Sequence, residues 1–229
     1  MNFALKDLAL CLVFMPVFSC GPSRKAENAW DGHLQEVPGR IECEFYDRGG
    51  EGVAYHDTDS MNNGSGKLNP PNGEYLNEFR MKEGVDLSYT KEKPVDDNPF
   101  NKTAPRMKQL YLGWTQPGEW VRYSFRVRET GFYKVGTQYT ANGDGAISFD
   151  LDGRPAGPDL VIPSTHDDRD TIAWRQWHHW NRLDSLTGLQ LIRGVHQLTL
   201  HIAAHGNMNF DYFEFQRAGP ATFKLLGQR

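Results

Sequence analysis

Two glutamates stand two positions apart in the stretch "IECEFYDRGG", residues 41–50. The stretch is typical of a β-strand, in which side chains alternate, so Glu42 and Glu44 are expected on one face and Cys43 on the other. Two solvated charges are the ordinary interpretation of such a pair. The same pair would also suit two kinds of site: a pair of catalytic carboxylates, or an oxygen-rich cation site that takes a third ligand from elsewhere in the chain.

Tryptophans gather in two short segments. Trp114 lies in "YLGWTQPGEW" and immediately precedes a turn, whereas Trp174 in "AWRQWHHW" follows the polar stretch "THDDRDT". Both are therefore expected at strand ends near loops. Aromatic rings in such places, with polar groups around them, form platforms for a ligand that has an apolar ring face and hydroxyl groups, as a pyranose sugar has.

Short strands separated by Gly, Asn and Asp dominate the rest of the chain, and no window of eleven or more residues has helical periodicity. Many strands without helices predict an all-β fold, a β-sandwich or jelly roll. The segment 88–109 is charged and contains prolines, which predicts a long surface loop that takes part in binding. The strands are predicted at 40–46, 110–115, 119–128, 132–141, 146–151, 171–183, 195–203 and 208–216.

The charge pattern and the motifs exclude several classes of function. The net charge is -4 and no long basic run is present, so a nucleic-acid partner is not expected. Phosphate-binding loops, nucleophile elbows and helical zinc motifs are missing. The histidines are interpreted as packing or surface residues rather than metal ligands. A monomer is expected.

The first twenty residues have the pattern of an export signal. An apolar run from Leu8 to Phe18 is too short for a membrane span, and Val17-Phe18-Ser19-Cys20 resembles the lipobox of bacterial lipoproteins. The prediction is therefore a signal peptide at 1–20, lipidation at Cys20, a tether at 21–39, one domain at 40–217 and a tail at 218–229. The protein is expected to be exported and lipid-anchored in the bacterial cell envelope, at the outer membrane.

The segment from Ile41 to Phe215 resembles a family 6 carbohydrate-binding module. The resemblance rests on the order of "IECEFYD", "YLGWTQPGEWVRYSFRV", "TGFYKV", "RGVHQLTLHI" and "NMNFDYFEF". It implies a galactose-binding-domain-like β-sandwich jelly roll that binds a plant or algal-type polysaccharide without cleaving it. It also implies a glycoside hydrolase as a possible partner.

The resemblance also implies roles for particular residues. Two rings, Trp114 and Trp174, would hold the sugar in a cleft between loops, with Asn209 beneath it as donor and acceptor. Trp177 would be the more buried partner of Trp174. A structural calcium would be bound by Glu42, Glu44 and Asp211, because hard oxygen ligands are what calcium requires.

Two alternatives to a binding module remain open. Glu42 and Glu44 would be about 6 to 7 Å apart along a strand, which superficially matches an inverting glycosidase, although that reaction needs its carboxylates on opposite sides of the bond. The other alternative is an envelope protein whose sandwich binds another protein. Burial of Trp114 and Trp174 would favour that reading.

The lipobox yields a direct prediction. Replacing Cys20 with Ala removes the sulfur that would carry the lipid, and several acyl chains on one cysteine anchor firmly whereas one alone is marginal. The variant should therefore move out of the detergent phase in a partition assay. A variant that stays in that phase would contradict lipidation at Cys20.

Overall fold

The computed structural model describes residues 27–219, in which two β-sheets pack face to face. The helices are short: a 3-10 turn at Trp30–Gly32, a π-helical turn at Gly64–Leu68, an α-helical turn at Tyr75–Glu78 and a 3-10 turn at Ala173–Arg175. No helix in this described part of the chain is long and apolar enough to cross a membrane. The strands are β1 (Gln35–Val37), β2 (Gly39–Glu42), β3 (Tyr55–His56), β4 (Leu87–Tyr89), β5 (Leu110–Leu112), β6 (Trp120–Val127), β7 (Gly131–Ala141), β8 (Gly145–Leu151), β9 (Arg154–Pro155), β10 (Leu160–Ile162), β11 (Asn181–Leu191), β12 (Gly194–Ala204) and β13 (Met208–Arg217).

The thirteen strands divide between a seven-stranded and a six-stranded sheet. The first has the order β1-β6-β12-β8-β10, with β3 also on β6 and β9 also on β8. The second has the order β11-β7-β13-β5-β4, with β2 also on β13. Strand β1 runs parallel to β6, whereas β6 is antiparallel to β12 and β13 is antiparallel to β7. The predicted all-β sandwich is confirmed.

Alternation along the long strands builds the core between the sheets. In β6, Val121, Tyr123 and Phe125 point inward and are buried, whereas Arg122 and Arg126 occupy alternate positions on the outer face. Phenylalanines of β13, in the second sheet, pack against aromatic residues of the first sheet. The ring of Phe125 lies 5.9 Å from that of Phe215, and the ring of Phe149 lies 5.1 Å from that of Phe213, measured between centroids. These aromatic contacts fix the separation of the two sheets.

Two predicted strands differ from the structure. The strand predicted at 171–183 is a 3-10 turn followed by irregular backbone, and β11 begins only at Asn181. Asp170 accounts for this, because its carboxylate accepts the N–H of Ile172 at 3.0 Å and thereby competes with strand pairing. The strand predicted at 40–46 ends at Glu42, where the N–H of Phe45 turns back to the Glu42 carbonyl at 3.2 Å.

Part of the predicted tether, residues 21–39, belongs to the sandwich. Strand β1 pairs with β6, and Val37 at its end is completely buried in the core. Ahead of β1, the guanidinium of Arg80 lies over the ring of Trp30 at 4.5 Å. The boundary at residue 40 therefore leaves β1 outside the predicted domain and divides β2 after Gly39. Short strands of this kind, with a single apolar residue facing inward, carry too little alternation to be recognised.

The burial of Val37 predicts a stability loss on truncation. Replacing Val37 with Ala removes two buried methyl groups and leaves a small cavity, which should cost roughly 1 to 3 kcal/mol of unfolding free energy. Denaturant unfolding of the soluble fragment from residue 27 measures this cost. The matched control is His33→Ala, at an exposed position just before β1. Equal unfolding midpoints for the two variants would mean that β1 does not contribute to the core.

Candidate functional site

Three of the chain's tryptophans line one cleft at the loop end of the second sheet. The cleft has a volume of about 500 Å³, which lies in the usual range for small-ligand sites, and its walls are largely apolar. It is bounded by the π-helical turn, the end of β4 and its following loop, the end of β5, and the segment before β11. Its lining consists of Leu68, Asn69, Ser88, Lys91, Val95, Tyr111, Trp114, Trp174, Trp177 and His178.

Trp114 reaches the cleft from an unusual backbone conformation just after β5. Its φ of 47° lies in the left-handed region, which a bulky residue adopts only when its surroundings impose it. The N–H of Trp114 donates to Asn209 Oδ1 at 3.1 Å. Gly113 allows this approach, since a Cβ there would lie 2.9 Å from the same oxygen. The loop backbone is thereby fixed against the interior of the sheet, and the ring of Trp114 is half-buried at the cleft wall.

Trp174 lies on the opposite segment, in the 3-10 turn before β11, and is 55% exposed. A buried ion pair holds this turn. Arg175 donates to Asp170 through Nε at 2.6 Å and through Nη2 at 2.8 Å. Its Nη1 donates to the carbonyl of Pro94 at 2.5 Å, so the turn is also tied to the loop after β4. The structure thus brings Trp114 and Trp174 to the same cleft.

Trp177 is more buried than Trp174, as predicted, but it does not lie in the core. It is half-buried and lines the cleft, and its carbonyl accepts the hydroxyl of Thr165 at 2.5 Å. The core tryptophan is Trp180, which is completely buried and whose Nε1 donates to Asp96 at 2.9 Å. Trp174, Trp177 and Trp180 are spaced three positions apart. In irregular backbone that spacing does not predict which of the three rings is buried.

Asn209 lies beneath the cleft rather than in it. It is completely buried, and its Nδ2 donates to Thr140 Oγ1 at 2.8 Å and faces His178 Nδ1 at 3.1 Å. Its Oδ1 accepts the N–H of Trp114. Because both amide hydrogens and the oxygen are engaged by the protein, the amide orients the cleft instead of contacting a ligand. This corrects the role predicted for Asn209 as the direct donor and acceptor to a sugar.

A buried carboxylate that the sequence reasoning missed supports the whole cleft. Asp96, in the predicted loop 88–109, accepts His178 Nε2 at 2.6 Å as well as Trp180 Nε1, and its other oxygen accepts the N–H of Lys91 at 2.6 Å. Burial acts to raise the pKa of Asp96, but the hydrogen bond from His178, together with those from the Lys91 N–H and Trp180, outweighs it and holds the pKa below its usual range. His178 was predicted as a strand residue with no site role. His178 and Asp96 are 82 positions apart, so the sequence carries no spacing signal for this pair.

The three predicted cation ligands come together where β13 changes its neighbour. β13 pairs with β5 at Phe210 and with β2 from Tyr212 onward, and Asp211 lies at the irregularity between these two stretches. The N–H of Cys43 donates to the carbonyl of Asp211 at 2.9 Å, so the turn after Glu42 runs beside it. Glu44 lies in that turn and not on β2. Its proximity to Glu42 therefore comes from the turn and not from strand alternation.

Each of these three carboxylates has one buried oxygen without a hydrogen-bond partner: Glu42 Oε2, Glu44 Oε2 and Asp211 Oδ1. The second oxygens of Glu44 and Asp211 do have hydrogen-bond donors. Gln109 Nε2 donates to Glu44 Oε1 at 2.9 Å and Gln138 Nε2 donates to Asp211 Oδ2 at 2.9 Å. An ionised carboxylate oxygen that is buried without a donor or cation is costly.

The electrostatics of this group follow from its burial. Burial raises the pKa of Asp211 to about 7, the charge of Glu42 adds to the effect, and Arg106 and Arg40 act against it. Burial likewise raises the pKa of Glu44 well above its usual range and that of Glu42 to a smaller extent. Without a cation, the group therefore retains protons that isolated carboxyl groups would lose.

Two observations bear on whether a cation fits this group. Across residues 27–219, no three His, Cys, Asp or Glu side chains are placed so that they could hold a metal ion. The three orphaned oxygens point the other way and are the stronger indication, because each requires a proton or a cation at its present burial. Carboxylate oxygens are also the donor type that calcium prefers. The donor set therefore fits a hard cation.

The different burial of Trp177 and Trp180 yields a test. Trp180→Ala removes a completely buried ring and the Nε1 donor to Asp96, and should lower the unfolding free energy by roughly 3 to 5 kcal/mol. Trp177→Ala acts at a half-buried ring in the cleft wall and should cost less than half as much. Thermal or denaturant unfolding measures both. A larger loss of unfolding free energy for Trp177→Ala than for Trp180→Ala would mean that Trp177 is the core residue.

Comparison with known proteins identifies the family. Residues 87–217 match the sequence profile described as carbohydrate binding module (family 6), which is more than half of the 229 residues. A comparison with curated protein sequences found no match. Among solved structures, a family 6 carbohydrate-binding module studied by crystallography and calorimetry is 17% identical with a TM-score of 0.45, over 81% of this chain and 98% of that one.

Two further solved structures are similar at the same low level. The module CsCBM6-3 of Clostridium stercorarium, solved with cellobiose, is 13% identical with a TM-score of 0.47, over 82% of this chain and 99% of that one. A family 43 arabinoxylan arabinofuranohydrolase of Bacillus subtilis, solved with cellotetraose, is 15% identical with a TM-score of 0.48, over 81% of this chain but 28% of the enzyme. The assignment rests on the profile match and not on these structural similarities. This chain belongs to family 6 of the carbohydrate-binding modules.

Proposed function

We propose that the protein binds a polysaccharide of plant or algal type in the tryptophan cleft, without cleaving it. The observation that carries the proposal is the exposure of Trp174, 55% of whose surface faces solvent across a cleft whose other wall includes Trp114. The exposed indole is an apolar surface in contact with water, which is unfavourable. A sugar ring stacked on it would remove that surface from water and so gain free energy. Trp177 extends the same wall, so that more than one sugar ring can be accommodated.

Polar groups at the base of the cleft would orient the sugar hydroxyls. Ser88 and Asn69 line it, and the Asn69 amide donates to the Ser88 hydroxyl at 3.0 Å. Tyr111 lies between the tryptophans, with its ring 6.3 Å from that of Trp114 and 5.3 Å from that of Trp180. A few polar groups among aromatic walls is the usual composition of a specific small-ligand site.

The two alternatives have less support. Glycoside hydrolysis needs a carboxylic acid and a carboxylate on either side of the scissile bond, and none of the residues that line this cleft is Asp or Glu. A protein-binding sandwich was favoured only if Trp114 and Trp174 were buried. Trp114 is half-buried and Trp174 is exposed. A role beside a glycoside hydrolase remains part of the proposal, because a binding module raises the concentration of an enzyme at its polymer.

Attachment to the cell envelope completes the proposal. Cys20 lies outside the described residues, and lipidation there rests on the lipobox pattern alone. An outer-membrane anchor would keep the module next to polymers that arrive from outside the cell. The glycan and a partner hydrolase would then meet at the same surface.

We also infer a structural calcium between β2 and β13. Glu42, Glu44 and Asp211 would hold it, each through the oxygen that lacks a partner. When bound, the ion would supply positive charge to a buried group of carboxylates and link the turn after β2 to the irregular point of β13. The backbone hydrogen bond from the Cys43 N–H to the Asp211 carbonyl already joins that turn to β13.

The cleft proposal predicts a separation of binding from stability. Trp114→Ala and Trp174→Ala should each weaken binding about tenfold or more, because each removes a stacking face, while Trp174→Ala leaves the melting temperature nearly unchanged. Affinity electrophoresis in gels that contain plant and algal polysaccharides measures retention. The control is Tyr75→Ala, which alters a 59% exposed ring outside the cleft. If the gels retained both cleft variants as strongly as the control, the sugar would not bind in this cleft.

The calcium proposal predicts a stabilisation that depends on pH. Asp211 has a folded pKa of about 7 against an ordinary value of 3.8, so in chelator the folded state holds an extra proton and loses stability as the pH rises from about 4 through about 7. Calcium would replace those protons. At roughly 100 times its Kd it should raise the unfolding free energy by about 2.7 kcal/mol at pH 8, and by less at pH 5, where protons compete with it.

Thermal melts with calcium and with chelator, at both pH values, measure this difference. Asp211→Asn should abolish it, whereas Asp97→Asn, at an exposed position in the loop after β4, should preserve it. If the melting curves of the parent protein were the same in all four conditions, calcium would not bind here. Glu42 and Glu44 would then be buried acids that are neutralised by their own protons.

A further inference from the structure

Lys91 gives the cleft a charge that the sugar-binding proposal does not use. It lies two residues after the end of β4 and is the only Lys, Arg, Asp or Glu among the ten residues that line the cleft. Its backbone is fixed, because its N–H donates to the buried carboxylate of Asp96 at 2.6 Å. The side chain therefore starts from a defined point at the base of the aromatic walls.

The ammonium group is anchored by neutral partners. Nζ lies 3.2 Å from the hydroxyl of Ser88 and 3.5 Å from the carbonyl of Tyr89, and it lies 4.3 Å from the centroid of the Tyr89 ring. The Ser88 hydroxyl is buried. An ammonium has three donors, so these two long hydrogen bonds leave capacity for a third, stronger acceptor.

The acid that acts on this ammonium, Asp96, is already engaged by other donors. Asp96 acts on Lys91 electrostatically, but its Oδ1 accepts His178 and Trp180 and its Oδ2 accepts the Lys91 N–H. Burial lowers the pKa of Lys91, and the charge of Asp96 acts against that effect. A half-buried ammonium among aromatic rings, with only neutral acceptors at its head, is left partly desolvated and poorly compensated.

We propose that the cleft selects acidic glycans, in which a carboxylate of a uronic acid or a sulfate ester pairs with Lys91 Nζ. This inference rests on the proposed binding of sugar in the cleft and names the class of ligand. A charge-assisted bond is shorter and stronger than a neutral one, and the low-dielectric walls strengthen it further. A neutral polymer would bury the ammonium more deeply without compensation, so the same residue disfavours uncharged sugars.

Carboxylate and sulfate share the property that the ammonium recognises. Lysine is a compact point charge without the planar fork of arginine, so its geometry does not separate a planar carboxylate from a tetrahedral sulfate. The experiment therefore uses one polymer of each kind with its uncharged derivative: polygalacturonate beside its carboxyl-reduced form, and carrageenan beside its desulfated form.

The test measures binding of the full chain to these four polymers by affinity electrophoresis and calorimetry. The parent protein should bind one acidic polymer about tenfold or more tightly than its uncharged derivative, a difference of about 1.4 kcal/mol, and should lose part of that preference in high salt. Preference for polygalacturonate assigns the carboxylate, and preference for carrageenan assigns the sulfate.

Lys91→Met keeps the aliphatic stem and should erase the preference while its melting temperature stays equal or rises, since a poorly compensated charge is removed. Lys93→Met, which removes a 77% exposed lysine side chain from the same loop, should behave as the parent. Equal binding of acidic and uncharged polymers by the parent, or an unchanged preference in Lys91→Met, would overturn the inference and leave sugar binding intact. Failure to bind any of the four polymers would overturn this inference; if Trp174→Ala also matches the parent on every plant and algal polymer, the sugar-binding proposal fails with it.

Discussion

The buried carboxylate of Asp96 is the point on which the cleft depends. It is completely buried and joins the loop after β4 to His178 and Trp180, which come from the segment before β11. Removal of its partners would strand an ionised group in the interior, which costs more than a surface ion pair does. The loop is held a second time where the N–H of Lys102 donates to the Trp180 carbonyl at 2.9 Å. A long loop of this composition is thus made part of the rigid structure.

His178 carries this constraint across to the opposite wall. Because its Nε2 faces a carboxylate, that nitrogen bears the hydrogen, and its Nδ1 is left to accept from the Asn209 amide. Asn209 in turn accepts the N–H of Trp114. The chain of bonds from Asp96 to Trp114 means that both walls are set before any ligand arrives. Preorganisation of this kind lowers the ordering cost of binding.

The sequence predicted those features that depend on local sequence pattern. β6, β7, β12 and β13 were predicted because Gly, Asn and Asp turns bound their strand-like runs, and Trp114 and Trp174 were placed at loops because turn-forming or polar residues flank them. The interior of the cleft could not be predicted, since it depends on pairs such as Asp96 and His178 that are distant in the chain. Asn209 was assigned to the right region, but its burial is a tertiary property that no neighbour in the sequence reports.

Trp114 and Trp174 are supported by two loops that leave the sheets at different places. Trp114 follows β5, whereas Trp174 precedes β11, and neither ring belongs to the hydrophobic cluster between the sheets. Insertions or deletions next to these two rings would change the width of the cleft without disturbing that cluster. Ligand preference can therefore diverge faster than the scaffold does. For the protein engineer, the two loops are natural units for exchange between related modules.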